Sequence, residues 1–426
     1  MTDIPKEPTG LPAPIQFPSL RLSERVRGSA ILREHPPEYA QVLWESYRNV
    51  GDWAITDRVR RAELFGPGAA ELRGRQLAAV ASRVEKPVLA ALETMRDLLA
   101  SPGRMEPRVV ARACRRLSAW AGERGAKVTQ FYFAAAAGLC LSHDAKLAYQ
   151  AGCLAREIAK WDAAEVWLEY AMAVARRRRE REMQATAVLA LGNTYYRQGI
   201  YEKAKEAQAA ALVLAKRHRL REIEGKALHD LFTLFIVTNE HVKAEAFAGR
   251  ALRAYGKEHP NVPGLAHDVA FYWLMRGRAA RALRVLEVLA PRLQFVAHRV
   301  QALASTGRAA GLCGRREVFE RVWTEFWSIK DHPDAQSRLA PALLELARGA
   351  ACLGEPAHAE QAALAASEIA EIRGEIDVAH EAGEFLHQVR RGEVCRGYVP
   401  DVDRSGAPDR LANEFVEALQ AGVDAV

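Results

Sequence analysis

Along most of this chain apolar residues return every three to four positions, the spacing of one buried helix face. In residues 38–49 that face is Tyr39, Val42, Leu43 and Tyr47, which predicts a helix there. Gly51 marks its expected end, and Asp52 is placed to cap a second helix reaching Leu64, before the breaker Gly66-Pro67-Gly68. Residues 69–100 read as two helices divided near Pro87, a residue suited to a first helical turn. After Ser101-Pro102-Gly103 a hairpin is expected over 107–121 and 126–141, with Phe133 and Ala136 in its packing positions. No stretch shows the two-residue alternation of a half-buried strand, so the pattern predicts an all-α fold.

Between residues 150 and 366 the pattern itself repeats. A small-residue anchor stands at Ala164, Ala204, Ala244 and Ala282, becomes Phe319, and returns at Ala359, in steps of 40, 40, 38, 37 and 40 residues. Five residues before each anchor is a turn residue: Gly199, Gly277, Gly314 and Gly354, with Asn239 in the third copy and Ala159 in the first. A fixed period of this length signals stacked helical hairpins, each packing only on its neighbours. A closing helix over 375–391 is expected to cover the open end, and an amphipathic piece follows at 410–419.

In the best copy, Leu191, Gly192 and Tyr195 share one face of the first helix, Gly199 ends it, and Tyr201, Ala204 and Ala211 lie on the second. The neighbouring copy has Gly152, Trp161, Ala164, Leu168 and Ala171 at the same offsets. These residues resemble the tetratricopeptide repeat, although the usual period of that family is shorter. The resemblance covers about half the chain and implies a right-handed superhelix of antiparallel helical hairpins, with first helices lining a concave, peptide-binding groove. It places Tyr149, Arg156, Asn193, Tyr196, Arg197, Lys226, His229 and Thr233 in that groove, with His267 and Phe271 beyond them. Asn193 stands where the family's carboxylate clamp has an asparagine, but the accompanying lysine is replaced here by Leu189. Trp323, Phe326 and Trp327 fall in packing positions and are expected in the core.

Charge adds a second candidate surface. From Glu355 onward the chain has 15 acidic and 6 basic side chains, so the first 354 residues carry +16 against a total of +7. Such asymmetry permits an anionic partner, or a tail that folds back on the body. Arg176, Arg177, Arg178 and Arg179 close one second helix and predict a basic rim, although cations also favour helix C-termini because of the dipole. His380, Glu384 and His387 share a helix face but lack a further ligand at a defined spacing, so no metal is expected. Six scattered cysteines without a C-x-x-C pair read as reduced thiols, and the longest apolar stretch is too short to span a bilayer. A cytoplasmic protein is expected.

The organisation read from these signals is a proline-rich, disordered leader over 1–36, an N-terminal helical region over 37–106, the repeat array with its capping helix over 107–391, and an acidic tail over 392–426. No phosphate-binding loop, nucleophile elbow or zinc-protease motif is present. The expectation is a cofactor-free, non-catalytic scaffold or adaptor that binds a protein or peptide segment. The alternative is a peptide-responsive regulator whose basic N-terminal part contacts nucleic acid.

Overall fold

Left-handed turn residues set the rhythm of the structure. In the computed structural model, which describes residues 28–393 and 409–421, Gly199, Gly277, Gly314 and Gly354 all have φ between 66° and 76°. Asn239 and Ala159 take the same conformation at 59° and 55°. At Gly199 the Ile200 amide donates to the Tyr195 carbonyl (2.9 Å) and the Gly199 amide to the Tyr196 carbonyl (3.0 Å). These are the two bonds of a Schellman motif, which satisfies carbonyls the helix end would leave orphaned.

Every regular element among the described residues is helical, and the chain forms two compact units, Met1–Ile223 and Glu224–Val426. The first unit contains α1 (Pro37–Ile55), α2 (Ala69–Val80), α3 (Lys86–Ala100), α4 (Pro107–Glu123), α5 (Lys127–Cys140), α6 (Ala145–Glu157), α7 (Trp161–Arg178), α8 (Arg181–Arg197) and α9 (Tyr201–His218). The second contains α10 (Arg221–Val237, beginning at the boundary), α11 (His241–Tyr255), α12 (Val262–Met275), α13 (Ala279–Leu289), α14 (Val296–Leu312), α15 (Arg316–Ile329), α16 (Leu339–Cys352), α17 (Pro356–Arg373), α18 (Ile376–Arg390) and α19 (Arg410–Ala421). Successive helices pack in hairpins within each unit, giving an all-α helical-repeat solenoid. The helices that begin after a loop use local chemistry to start: Pro37, Pro87 and Pro107 occupy first turns. The Asp144 carboxylate accepts from the amides of Lys146 (3.0 Å) and Leu147 (3.1 Å) at the head of α6.

All six anchors are buried, five of them as alanine. Ala204 sits on α9 where it meets α8, so enlarging it forces side chains off their rotamers. Ala204→Leu is expected to destabilise the chain by about 1–3 kcal/mol. Lys203→Leu, one position along, should cost little, because Lys203 is exposed, overlying the Tyr195 ring at 5.2 Å and interacting with Glu169 through charge alone. Thermal unfolding of the two variants checks this, and equal losses would mean the register is wrong.

The N-terminal region differs from its sequence reading in two places. α1 runs through Gly51 to Ile55 without the expected break, and residues 60–63 form only a short 3-10 turn. Continuing the helix buries Val50 and Trp53, whose indole N–H donates to the Pro102 carbonyl at 2.8 Å. That burial outweighs the roughly 1 kcal/mol cost of an internal glycine. Most of the expected leader, residues 1–27, lies outside the described residues, but Gly28–Arg33 is a 3-10 helix with Ile31 buried. Behind it, both Glu34 oxygens accept from α5, at the Val128 amide (2.9 Å) and the Thr129 amide (2.7 Å). Glu34 thereby fills the capping role that Ala126 cannot.

In the second unit α14 packs directly along α16, while α15 barely touches α16. A 3-10 segment, Pro333–Arg338, separates α15 from α16, and glycines make the close approach possible. A methyl on Gly349 would stand 2.5 Å from the Gly307 carbonyl oxygen, and one on Gly311 closer still to the Gly349 carbonyl. Of the aromatic residues expected in the core, Phe326 is buried whereas Trp323 and Trp327 are half-buried, with the Trp323 ring centred 4.4 Å from that of His358 and tilted 38° to it.

Candidate functional site on the first helices

The groove positions expected from sequence fall on first helices of both units, and several turn out to fasten helices together. On α6, Arg156 donates to the Ala190 carbonyl of α8 at 3.2 Å. On α8, the Asn193 side-chain oxygen accepts from the Gln208 amide at 2.7 Å. Gln208 is buried on α9 and also donates to the Leu189 carbonyl at 3.2 Å. Asn193, which the resemblance places in the groove, thus also takes part in the packing of α8 on α9. Removing its oxygen would leave that buried amide with only its bond to Leu189, so Asn193→Ala is a poor probe of binding.

Tyr149 is half-buried, and its phenol pKa is pushed up to about 12 by burial first and by neighbouring Cys153 second. Tyr196 lies 6.0 Å from the Tyr201 ring, and Arg197 is exposed. Leu189, in the place of the clamp lysine, is buried.

The four arginines of the expected rim are exposed, and Arg179 takes the left-handed conformation that ends α7. Arg178 pairs with Glu180 at 2.7 Å and borders an open cleft of about 1290 Å³. Arg58 and Arg108 line the same cleft, but so do Glu106, Asp144 and Glu182. Cations and carboxylates alternate there, so the rim does not continue into a uniformly basic surface.

In the second unit the first helices are linked sideways by a ladder of polar pairs. His229 Nε2 on α10 is 2.9 Å from Asp268 Oδ2 on α12, and Asp268 Oδ1 is 3.5 Å from His267 Nδ1. His267 Nε2 lies 3.3 Å from Ser305 Oγ on α14. Arg308 on α14 pairs with Glu345 on α16 at 2.5 Å. Glu345 also pairs with Arg348 (2.7 Å), which reaches Glu381 on α18 at 2.5 Å. Burial opposes the charge on Asp268, yet the hydrogen bonds and charges of His229 and His267 hold its carboxyl well below the usual range. It is ionised at every physiological pH, and its side chain remains 51% exposed.

Of the groove residues expected on α10, His229 belongs to this ladder, while Thr233 back-bonds to the His229 carbonyl at 3.3 Å. Lys226 is half-buried on the same helix. Sequence reasoning missed Asp268, Arg308, Glu345, Arg348 and Glu381. Their signal was available, because paired residues stand 33 to 39 positions apart, close to one repeat period.

His380 and Glu384 are 3.8 Å apart on α18 and largely exposed. Among the described residues no group of three histidine, cysteine or carboxylate side chains is placed to hold a metal, and no helix is long and apolar enough to cross a membrane.

No family model matches the chain, and no curated protein matches it. Among solved structures, the chain is similar to a Rap protein complexed with competence and sporulation factor. The identity is 10% over 84% of this chain and 98% of that one, with a TM-score of 0.37. A likeness of that size assigns no ligand to this chain.

Proposed function

We propose that this chain is a non-catalytic helical-repeat scaffold that binds a peptide or protein segment along its first helices. The observation that carries the reading is the polar ladder across α10, α12, α14, α16 and α18. Side chains already held by their neighbours lose little further freedom when a ligand arrives, which favours binding. First helices packed about 8–10 Å apart offer one hydrogen-bonding step for every two to three residues of an extended segment, which rises about 3.3 Å per residue. The half-exposed Asp268 carboxylate suits a cationic group on that segment.

Ser305, His267 and Asp268 are connected in the order of a hydrolase relay, but Ser305 is only 2% exposed, in the middle of α14. A hydroxyl that substrate cannot reach favours the non-catalytic reading. The nucleic-acid alternative needs free cations on the N-terminal helices. There Arg73 is turned inward and Arg61 lies 4.1 Å over the Trp53 ring, donating to the Thr56 carbonyl at 3.0 Å, while Arg58, Arg60, Arg75 and Arg83 are exposed.

Peptides selected from a random-sequence library provide the test. Asp268→Asn combined with Arg348→Gln should weaken selected peptides tenfold or more, since a hydrogen bond to a charged group is worth about 1.5–3 kcal/mol. Arg321→Gln, on second helix α15, should leave their affinity unchanged. Equal losses from the two variants, or a selection that enriches nothing, would sink the reading.

A further inference from the structure

The final described helix does not extend the stack. α19 turns back and packs on α12 and α13, some 130 to 160 residues earlier in the chain. Ala412, Phe415, Ala418 and Leu419 form its buried face, and Phe415 is fully buried. Leu411 lies against Gly249 of α11.

Charge organises the rest of the contact. One oxygen of Asp409 caps α19, accepting from the Ala412 amide at 3.3 Å, while the other pairs with Arg281 of α13. Arg281 is braced from behind by Glu245 at 3.7 Å and by the Trp273 ring, 5.3 Å away. Further along, Arg284 donates to Asn413, Arg253 pairs with Glu414 at 3.3 Å, and Lys257 with Glu417 at 3.2 Å. The seat therefore reads a specific pattern: an aspartate cap, an apolar stripe at helical spacing, and acidic residues facing a row of cations.

Its grip is built to be reversible. Arg253 and Lys257 are each 60% exposed, and ion pairs in water are weak and screened by salt. A helix as short as α19 is marginal on its own, so it holds its place largely because the chain keeps it nearby.

We propose that the seat beneath α19 is a docking site for an acidic amphipathic helix of another protein, and that α19 is the occupant the chain supplies to itself. The surface is built from α11, α12 and α13; it shares α12 with the first-helix ladder, but its contacts with α19 are made by other residues than His267 and Asp268. Any helix with the same pattern competes for it, with the cation row selecting for acidic partners.

The test uses the full-length chain and a fluorescently labelled synthetic peptide of residues 409–421. Phe415→Asp should expel α19 and raise affinity for the peptide about tenfold or more over the wild-type chain, because the tethered competitor is gone. Asp409→Asn keeps the cap but loses the charge on Arg281, and should give a smaller gain in the same direction without disturbing the fold. Adding Arg253→Glu and Lys257→Glu to Phe415→Asp should cancel the gain and flatten its salt dependence. Equal peptide binding by the wild-type and Phe415→Asp chains would overturn the proposal. So would a Phe415→Asp chain that pairs with its own copies and excludes the peptide, since the occupant would then be a second copy.

Discussion

Gly349→Ala is expected to destabilise the chain by about 3 kcal/mol, the upper end of what overpacking usually costs. The substitution adds a single methyl and improves helix propensity by about 1 kcal/mol, so on local grounds it ought to help. It fails because the methyl would meet backbone: the Gly307 carbonyl oxygen at 2.5 Å and the Arg308 Cα at 2.9 Å. A flexible side chain could rotate away, but a helix backbone moves only if α14 and α16 separate. Gly383→Ala on α18 is the matched control, since its methyl would find only the Ser367 hydroxyl, 4.0 Å away. That variant should be neutral or gain up to about 1 kcal/mol. Urea unfolding of both variants checks the pair, and losses of the same sign would refute the close crossing.

A second large effect is expected from Glu45→Ala. The Arg73 guanidinium is 4% exposed, donating to the Val42 carbonyl at 2.8 Å, to Ser46 at 2.9 Å and to Glu45 at 2.8 Å. Burial already lowers its pKa, and Glu45 opposes that shift. Removing Glu45 leaves a buried cation uncompensated, at a cost of about 3–5 kcal/mol. Adding Arg73→Met to Glu45→Ala removes the stranded charge and keeps most of the volume, so the double variant should regain much of that loss. A double variant no more stable than Glu45→Ala would mean that packing, not charge, is what Arg73 supplies.

What the sequence revealed and concealed divides along the same physical line. Anchors and turn residues were legible because each is a local requirement repeated at a fixed interval: a small side chain where helices touch, and a left-handed residue where one ends. Ala204 and Gly199 illustrate both. The glycine crossing of α14 and α16 was not legible, because Gly307, Gly311 and Gly349 look like ordinary helix-interior glycines until the partner backbone is placed. Nor was the Arg73–Glu45 pair, which joins elements outside the period.

The candidate site was half visible. Positions on the first helices followed from the repeat, but whether a side chain faces ligand or neighbour depends on what stands one repeat away. Asn193 is turned toward Gln208, and His229 toward Asp268. A tail that folds back was one of two readings of its acidity, and Arg281, Arg253 and Lys257 hold α19 in that way.

The two long-range clasps bear on how the chain is made. Repeats of this kind form contacts only with the preceding hairpin, so loop closure is cheap and the array can grow in the order of synthesis. Glu34 must wait for Thr129, 95 residues later, before the head of α5 is capped. Lys257 must wait 160 residues for Glu417. During that interval the cation row and apolar trough on α11–α13 stand open on an otherwise completed array. Closing them waits on α19, so the seat is filled only after the helices that build it have been made.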